Sequence, residues 1–386
     1  MRIFCILTTF TLALLLFSCD RKKEQILPVD ERYPVDAEFE KLLVYIGVDQ
    51  TKDGKLRRSD IIGVDSLNLF KYSDVKSLRG IEHFENLRSL TIQGIHLDSL
   101  DLSKNSKLEY LWCETVGPEG TDASLKFLEL TGCKSLRSLK CPSNLLESLD
   151  LRQNIKLKEL HCPNNLLLAE LDLSQNTELE LLDFGWTNIS VLDISSNKKL
   201  RSISCPGTAM SRLDLSMQPD LELLNYTATK MSSINITNPE KLEKLYIADS
   251  QIHSIDFSKF PNLTSLGVGN SVNNLDLTPL KYLKELDCYG IKATAINLSS
   301  NTDLENLSMR LSGFSSLDLS QNNNLKNLWL FRMDNLASLY LAGNAQLESF
   351  SSIFNYALKT VCVNKLPDAE SVKWGKDEWT NFKICK

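Results

Sequence analysis

The stretch Leu146-Glu147-Ser148-Leu149-Asp150-Leu151-Arg152-Gln153-Asn154-Ile155-Lys156-Leu157-Lys158-Glu159-Leu160-His161-Cys162 decides the fold. It holds two copies of one pattern, Leu-x-x-Leu-x-apolar: Leu146, Leu149, Leu151, then Leu157, Leu160, Cys162. Upstream the pattern runs back through Leu108, Leu111, Cys113 and Leu97, Leu100, Leu102 to about Leu87. Downstream it continues through Leu325, Leu328, Leu330 to Leu358, Val361, Val363. That makes about 26 half-repeats, or about 13 turns of roughly 21 residues. Alternation within Leu-x-Leu marks short strands with one buried face. Each turn has an apolar edge it cannot cover alone, so stacking turns makes the core. With no helical stretch between half-repeats, the spacing predicts a β-rich solenoid of parallel strands in a right-handed superhelix. A chain of 386 residues exceeds an ordinary single core, but a repeat array grows lengthwise.

Asparagines recur three residues past the last apolar position: Asn105, Asn154, Asn176, Asn197, Asn322 and Asn344. They are placed to hydrogen-bond backbone groups at the bend, and Cys133 takes the equivalent place. One gap, Val116 to Ala123, contains Gly117, Pro118 and Gly120 and reads as an inserted loop. Cys113, Cys141, Cys162, Cys205 and Cys288 stand where other copies have Leu, Ile, Val, Met, Phe or Tyr. They read as buried free thiols acting as core hydrophobes.

These repeats resemble bacterial leucine-rich repeats of the internalin-like kind. More narrowly, they resemble a lipoprotein type in which Leu-Asp-Leu-Ser-x-Asn alternates with Leu-x-Cys. Leu149-Asp150-Leu151, Leu139-Lys140-Cys141 and the segment Leu78-Arg79-Gly80-Ile81-Glu82-His83-Phe84 carry the likeness, which spans most of the chain. Similar lipoproteins close their last repeat with a non-repeating segment. Here that implies a cap over 364–386, with Trp374, Trp379 and Phe382, tied by a Cys362–Cys385 disulfide.

The N-terminus has Arg2 followed by an apolar run, Ile3 to Phe17, short for a membrane span and laid out like an export signal. Leu16-Phe17-Ser18-Cys19 resembles a bacterial lipobox, so 1–18 reads as a lipoprotein signal peptide and Cys19 as the lipidated residue. An ordinary cleaved signal or an uncleaved anchor are the alternatives. Residues 19–35, charged and containing Pro28 and Pro34, read as a tether. The localisation this implies is the cell envelope, as an outer-membrane lipoprotein facing the periplasm or the outside.

Residues 36–86 read as an N-terminal cap plus the first repeat, ahead of the solenoid over 87–363. Phe39, Leu42, Leu43 and Ile46 recur at helical spacing behind a capping Asp36. The following Asp49-Gln50-Thr51-Lys52-Asp53-Gly54-Lys55-Leu56, ending at Asp60, matches much of a calcium-binding EF-hand loop. Asp49, Thr51, Asp53, Lys55 and Asp60 are the candidate ligands of a structural Ca2+; no other cofactor is expected. An Asp-Gly turn without metal is the alternative.

No catalytic constellation is legible. His83, His96, His161 and His253 sit in no metalloprotease pattern, and no nucleophile elbow or phosphate loop occurs. Asp101, Asp150, Asp172, Asp193 and Asp318 recur at one register, which points to a turn role and not to acid–base chemistry. With a net charge of -6 there is no basic footprint for nucleic acid. The chain is therefore expected to bind and not to catalyse.

One half-repeat is monotonous; the other varies just before its third apolar position. There the sequence runs Trp112, Lys140, His161, Asp183, Ser204, Asn225, Tyr246, Gly267, Asp287, Ser308, Trp329. Parallel stacking aligns these residues about 4.8 Å apart per strand. Spacing favours this half as the concave side, with Tyr110, Tyr289 and Phe331 nearby. Trp112, His161, Asp183, Tyr246, Asp287 and Trp329 are the candidate ligand-binding residues, since exposed aromatics are typical anchors. The partner is expected to be a protein of the envelope or host in an adhesion or interaction role; a glycan-capturing lipoprotein and a passive envelope component are the alternatives.

Overall fold

The computed structural model describes residues 30–70, 74–115, 125–272, 275–365 and 373–385. The expected signal peptide, Cys19, most of the tether and the Val116–Ala123 insertion lie outside the described residues.

The molecule is a parallel β-solenoid built on one 15-stranded sheet, running turn by turn from Ser66–Phe70 to Lys373–Lys376. Its strands are three to five residues long, and each pairs in parallel with its counterpart one turn later. The second residue of each of these strands points into the core. Leu111, Leu139, Leu160, Leu182, Ile203, Leu224, Leu245, Leu266 and Leu286 are all at most 2% exposed. On the opposite side, strands persist chiefly towards the C-terminus, in a four-stranded sheet from Ser316–Asp318 to Asn381–Ile384.

Between these ends the monotonous half turns by a side-chain device. The carboxylate of Asp172 accepts the N–H of Ser174 at 3.0 Å, and Asp193, Asp214 and Asp276 do the same for Ser195, Ser216 and Thr278. Asn297 substitutes its amide oxygen for the carboxylate, accepting from Ser299. The recurring aspartates are thus turn residues, satisfying a backbone donor that a strand neighbour would otherwise take.

The asparagines form a ladder. Asn176 Nδ2 donates to the carbonyls of Leu151 and Asn154, both at 3.0 Å, and Asn197 Nδ2 donates to Leu173 and Asn176 at 3.0 and 2.9 Å. Asn322 and Asn344 continue it near the other end. Gln218 serves one rung through Nε2, to Ile194 O at 2.8 Å, and Cys133 serves another through its thiol, to Leu102 O at 3.2 Å. The Oδ1 atoms of Asn154, Asn176 and Asn197 meet no donor among the described residues. The position therefore requires a hydrogen-bond donor and not an amide as such.

The other half bends differently. Two residues past its last apolar position the backbone is left-handed at Ser143, Asn164, Trp186, Gly207, Ala228, Asp249, Gly290, Leu311, Arg332 and Phe354, with φ between 51° and 68°. Outside the core, a row of alternating charge links successive turns: Arg88 with Glu109, Lys158 with Glu180 at 2.7 Å, Arg201 with Glu222, and Lys326 with Glu305 at 2.6 Å. These pairs are open to solvent, and each adds little to stability.

At the N-terminus, helix Ala37–Tyr45 starts at Asp36, whose side chain accepts from the N–H groups of Glu38 and Phe39. Phe39, Leu42 and Leu43 are buried as expected, whereas Ile46 falls at the C-cap and is 37% exposed. Asp49 is buried. Burial, and secondly the neighbouring Asp49, push the Asp60 carboxyl above its usual range.

At the other end the expected C-terminal cap closes the solenoid. It supplies one more turn, with Phe350 registered on Trp374 and Val361 on Phe382. Cys362 and Cys385 are disulfide-bonded. Asp377 accepts the N–H groups of Phe354 and Asn355 at 2.8 Å, and Trp379 Nε1 donates to Asn355 O.

Two outcomes follow. Asn176→Asp keeps the shape but removes the donor and buries a charge, so it lowers stability by more than Asn176→Ala, itself costing roughly 2–4 kcal/mol; Asn176→Cys costs least, and urea unfolding ranks the three. The backbone N–H of Ser174 holds the Asp172 carboxyl below its usual value, and those of Ser195 and Ser216 do the same for Asp193 and Asp214. Because folded values are depressed, this stabilisation is complete above the unfolded carboxyl pKa near ~4 and is lost as pH falls through the folded values. The urea midpoint should hold from about pH 7 to 5 and decline below about 4, with a shallower decline in Asp172→Asn/Asp193→Asn/Asp214→Asn.

Candidate ligand-binding face

The variable positions stand in one row across the long sheet. Trp112 is registered on Lys140, Lys140 on His161, His161 on Asp183, and so on through Ser204, Asn225, Tyr246, Gly267, Asp287 and Ser308 to Trp329. Tyr289, Arg310 and Phe331, two residues further along their strands, share this face.

The row is not one site. Trp112 and Trp329 are ten strand steps apart in the sheet order, which at about 4.8 Å per step is roughly 48 Å. Trp112 is 40% exposed, with the Lys140 ammonium 5.8 Å from its ring. His161 Nδ1 lies 3.8 Å from Asp183 Oδ2, both half-buried. Trp329 is 42% exposed at the C-terminal end, where Phe331 packs edge-on against Phe354.

Between them is a depression of about 400 Å³, lined by Tyr246, Asp249, Gly267, Asp287, Tyr289 and Arg310. Gly267 makes the dip: a Cβ there would lie 2.8 Å from the Tyr246 ring. Tyr246 leans across this gap and pairs its hydroxyl with Ser265 at 2.8 Å, so it is half-buried and not the free anchor expected. Arg310 donates to Asp287 Oδ2 at 3.1 Å and lies 5.6 Å from the Tyr289 ring centre. Asp287 Oδ1 is buried with no partner among the described residues. Tyr246 and Asp287 are thus brought together, while Trp112, Trp329 and the His161–Asp183 pair lie elsewhere on the face. The gap at Gly267 and the Arg310 contact were missed; Gly267 and Gly269, two small residues in one otherwise apolar strand, were the available signal.

Of the loop residues read as ligands, Asp49, Thr51 and Asp60 each bury a side-chain oxygen without a partner among the described residues, and Asp49 Oδ1 accepts the Thr51 N–H at 3.0 Å, whereas Asp53 lies 3.7 and 3.8 Å from Arg32 and Arg57. Among the described residues no three His, Cys, Asp or Glu side chains are grouped to hold a metal.

Cys113, Cys141 and Cys162 occupy successive turns in the core, and Cys133, Cys205 and Cys288 are buried too. Burial pushes the thiols of Cys113, Cys133 and Cys205 up to about 12. Since the thiolate is the reactive form, all six should resist a maleimide in the native protein and react on unfolding, as counted by mass spectrometry. Native labelling of Cys141 would contradict the packing.

No protein-family model matches the sequence, and no curated protein matches it. Solved structures do. The functional domain of InlJ from Listeria monocytogenes, described as including a cysteine ladder, superposes with a TM-score of 0.60 at 25% identity, covering 85% of this chain and 74% of that one. The internalin InlF of the same organism gives 0.57 at 19%, over 81% and 94%. A leucine-rich-repeat protein of Leptospira interrogans gives 0.53 at 15%, over 85% and 97%. With its 21-residue turns, its parallel sheet and its core of leucine and cysteine, the chain has the fold of a leucine-rich-repeat solenoid and is similar to these internalins.

Proposed function

We propose that this chain is a non-enzymatic lipoprotein of the cell envelope, anchored in the outer membrane through Cys19, that binds a protein partner on the face of its long sheet. The observation that carries this reading is the spread of the variable row. Exposed tryptophans mark its two ends, roughly 48 Å apart, with mixed charge and hydroxyl groups between. A surface of that length suits an extended protein epitope, where a few aromatic anchors supply most of the energy. The bends and core, by contrast, repeat one set of contacts from turn to turn and present nothing selective.

The depression at Gly267 favours a second reading, capture of a glycan. Tyr289 offers a ring beside Asp287 Oδ1, a buried acceptor without a partner, and a sugar hydroxyl is a donor of the right kind.

Binding of the purified protein to arrays of envelope and host proteins and of polysaccharides tests both, with Trp112→Ala, Trp329→Ala and Tyr289→Ala measured separately. The protein reading expects a protein hit weakened at least tenfold by either tryptophan change. A polysaccharide hit abolished by Tyr289→Ala alone would replace it with the glycan reading. Hits indifferent to all three would place binding off this face.

A further inference from the structure

The N-terminal cap carries three buried oxygens that the fold itself does not use. Its order is helix Ala37–Tyr45, a loop from Asp49, strand Lys55–Arg57 and helix Arg58–Ile61. Within the loop Gly54 is left-handed, at φ +78°, and donates its N–H to the buried carboxylate of Glu40 at 2.6 Å. That bond pins the loop against the first helix. Strand Lys55–Arg57 pairs antiparallel with Arg32–Pro34, so the far side of the loop is pinned as well.

Inside this frame Asp49 is only 2% exposed. Its Oδ1 accepts the N–H of Thr51 at 3.0 Å, and its Oδ2 has no partner. Thr51 Oγ1 and Asp60 Oδ2 are also buried without a partner among the described residues. Four buried polar atoms of this twelve-residue loop lack a partner among the described residues, Arg57 Nε and the three oxygens; buried polar atoms are nearly always satisfied, so the three oxygens call for a common explanation. They belong to the first, third and twelfth places of the loop, the places that supply side-chain oxygens in a helix–loop–helix calcium site. The sixth place has the glycine such a loop requires.

We infer that Asp49, Thr51 and Asp60 bind one calcium ion, joined by the main-chain carbonyl of Lys55 and by Asp53. The donor set is oxygen only, which suits a hard cation and not zinc or copper. Asp53 Oδ1 accepts the N–H of Lys55 at 3.2 Å, while its Oδ2 lies 3.7 and 3.8 Å from Arg32 and Arg57, so recruiting this third carboxylate requires its exposed side chain to leave those contacts for the ion. The ion ties the first helix to the second across the strand, and so holds the cap whose Leu56 and Ile61 belong to the same buried core as the first leucine turn. This site is independent of the sheet face and of what binds there.

The test uses the purified full chain, stripped with EDTA and titrated with CaCl2 by calorimetry. Amide exchange over 49–60 is followed in parallel. One ion per chain is expected, slowing exchange of the loop amides at least tenfold. Asp49→Asn/Asp60→Asn should weaken binding at least tenfold, with exchange of the strand Ser265–Gly269 unchanged as the sign that the solenoid stays folded. Thr51→Val, which removes one oxygen and no charge, should also weaken it and covers the case of a misfolded double variant. No heat and no slowing up to about 10 mM calcium, weaker than any extracellular module of this type, would overturn the inference. So would binding that survives both variants intact.

Discussion

The bend of each turn sets the terms for everything else. Where the chain turns back beside the leucine core, backbone carbonyls point into a region that water does not reach, and each needs a donor. Asn154, Asn176 and Asn197 meet that need by reaching from one turn to carbonyls of the turn before, including the carbonyl of the preceding rung. The leucines supply the attraction between turns, but apolar contact alone is indifferent to small slips. The donor ladder is directional, and it fixes how far each turn is displaced from the last.

That demand explains which parts of the fold were legible. Leucine spacing gave the strands because burial of alternate residues follows directly from a half-buried strand. The cysteines were legible as core residues because Cys113 and Cys141 sit where others have leucine. Cys133 was legible as the occupant of an asparagine place, and its S–H reaches Leu102 O there. The left-handed bends were not legible. Ser143, Trp186, Ala228, Leu311 and Arg332 share no chemistry, and only Gly207, Gly290, Asn164 and Asp249 hint at the conformation. A solenoid over-determines that backbone from both neighbouring turns, so intrinsic preference loses. The C-terminal cap was legible, but its strands were not: Lys373–Lys376 and Asn381–Ile384 pair without the leucine pattern, because a final turn has only one neighbour to bury.

On the sheet face the same regularity has the opposite effect. Since core and bends hold the backbone, outward side chains are free of structural duty, and the sequence there records shape and charge. The alignment of Trp112 with Trp329 could be read in advance from register alone. The division of the row into separate patches could not, since it depends on Tyr246 lying over Gly267 and on Arg310 reaching Asp287. Side chains that lean along a strand ladder are invisible to spacing arguments.

The closing turn has a consequence for how molecules meet. A parallel sheet that ends abruptly is a template, since its last strand offers unpaired backbone groups to any similar chain. Here the terminus is blunted: Asp377 takes two N–H groups of the preceding turn, Trp379 stacks on Tyr356, and the terminal strands carry Lys376 and Lys383. Positive charge and a stacked indole at that lip oppose end-to-end addition of a second copy.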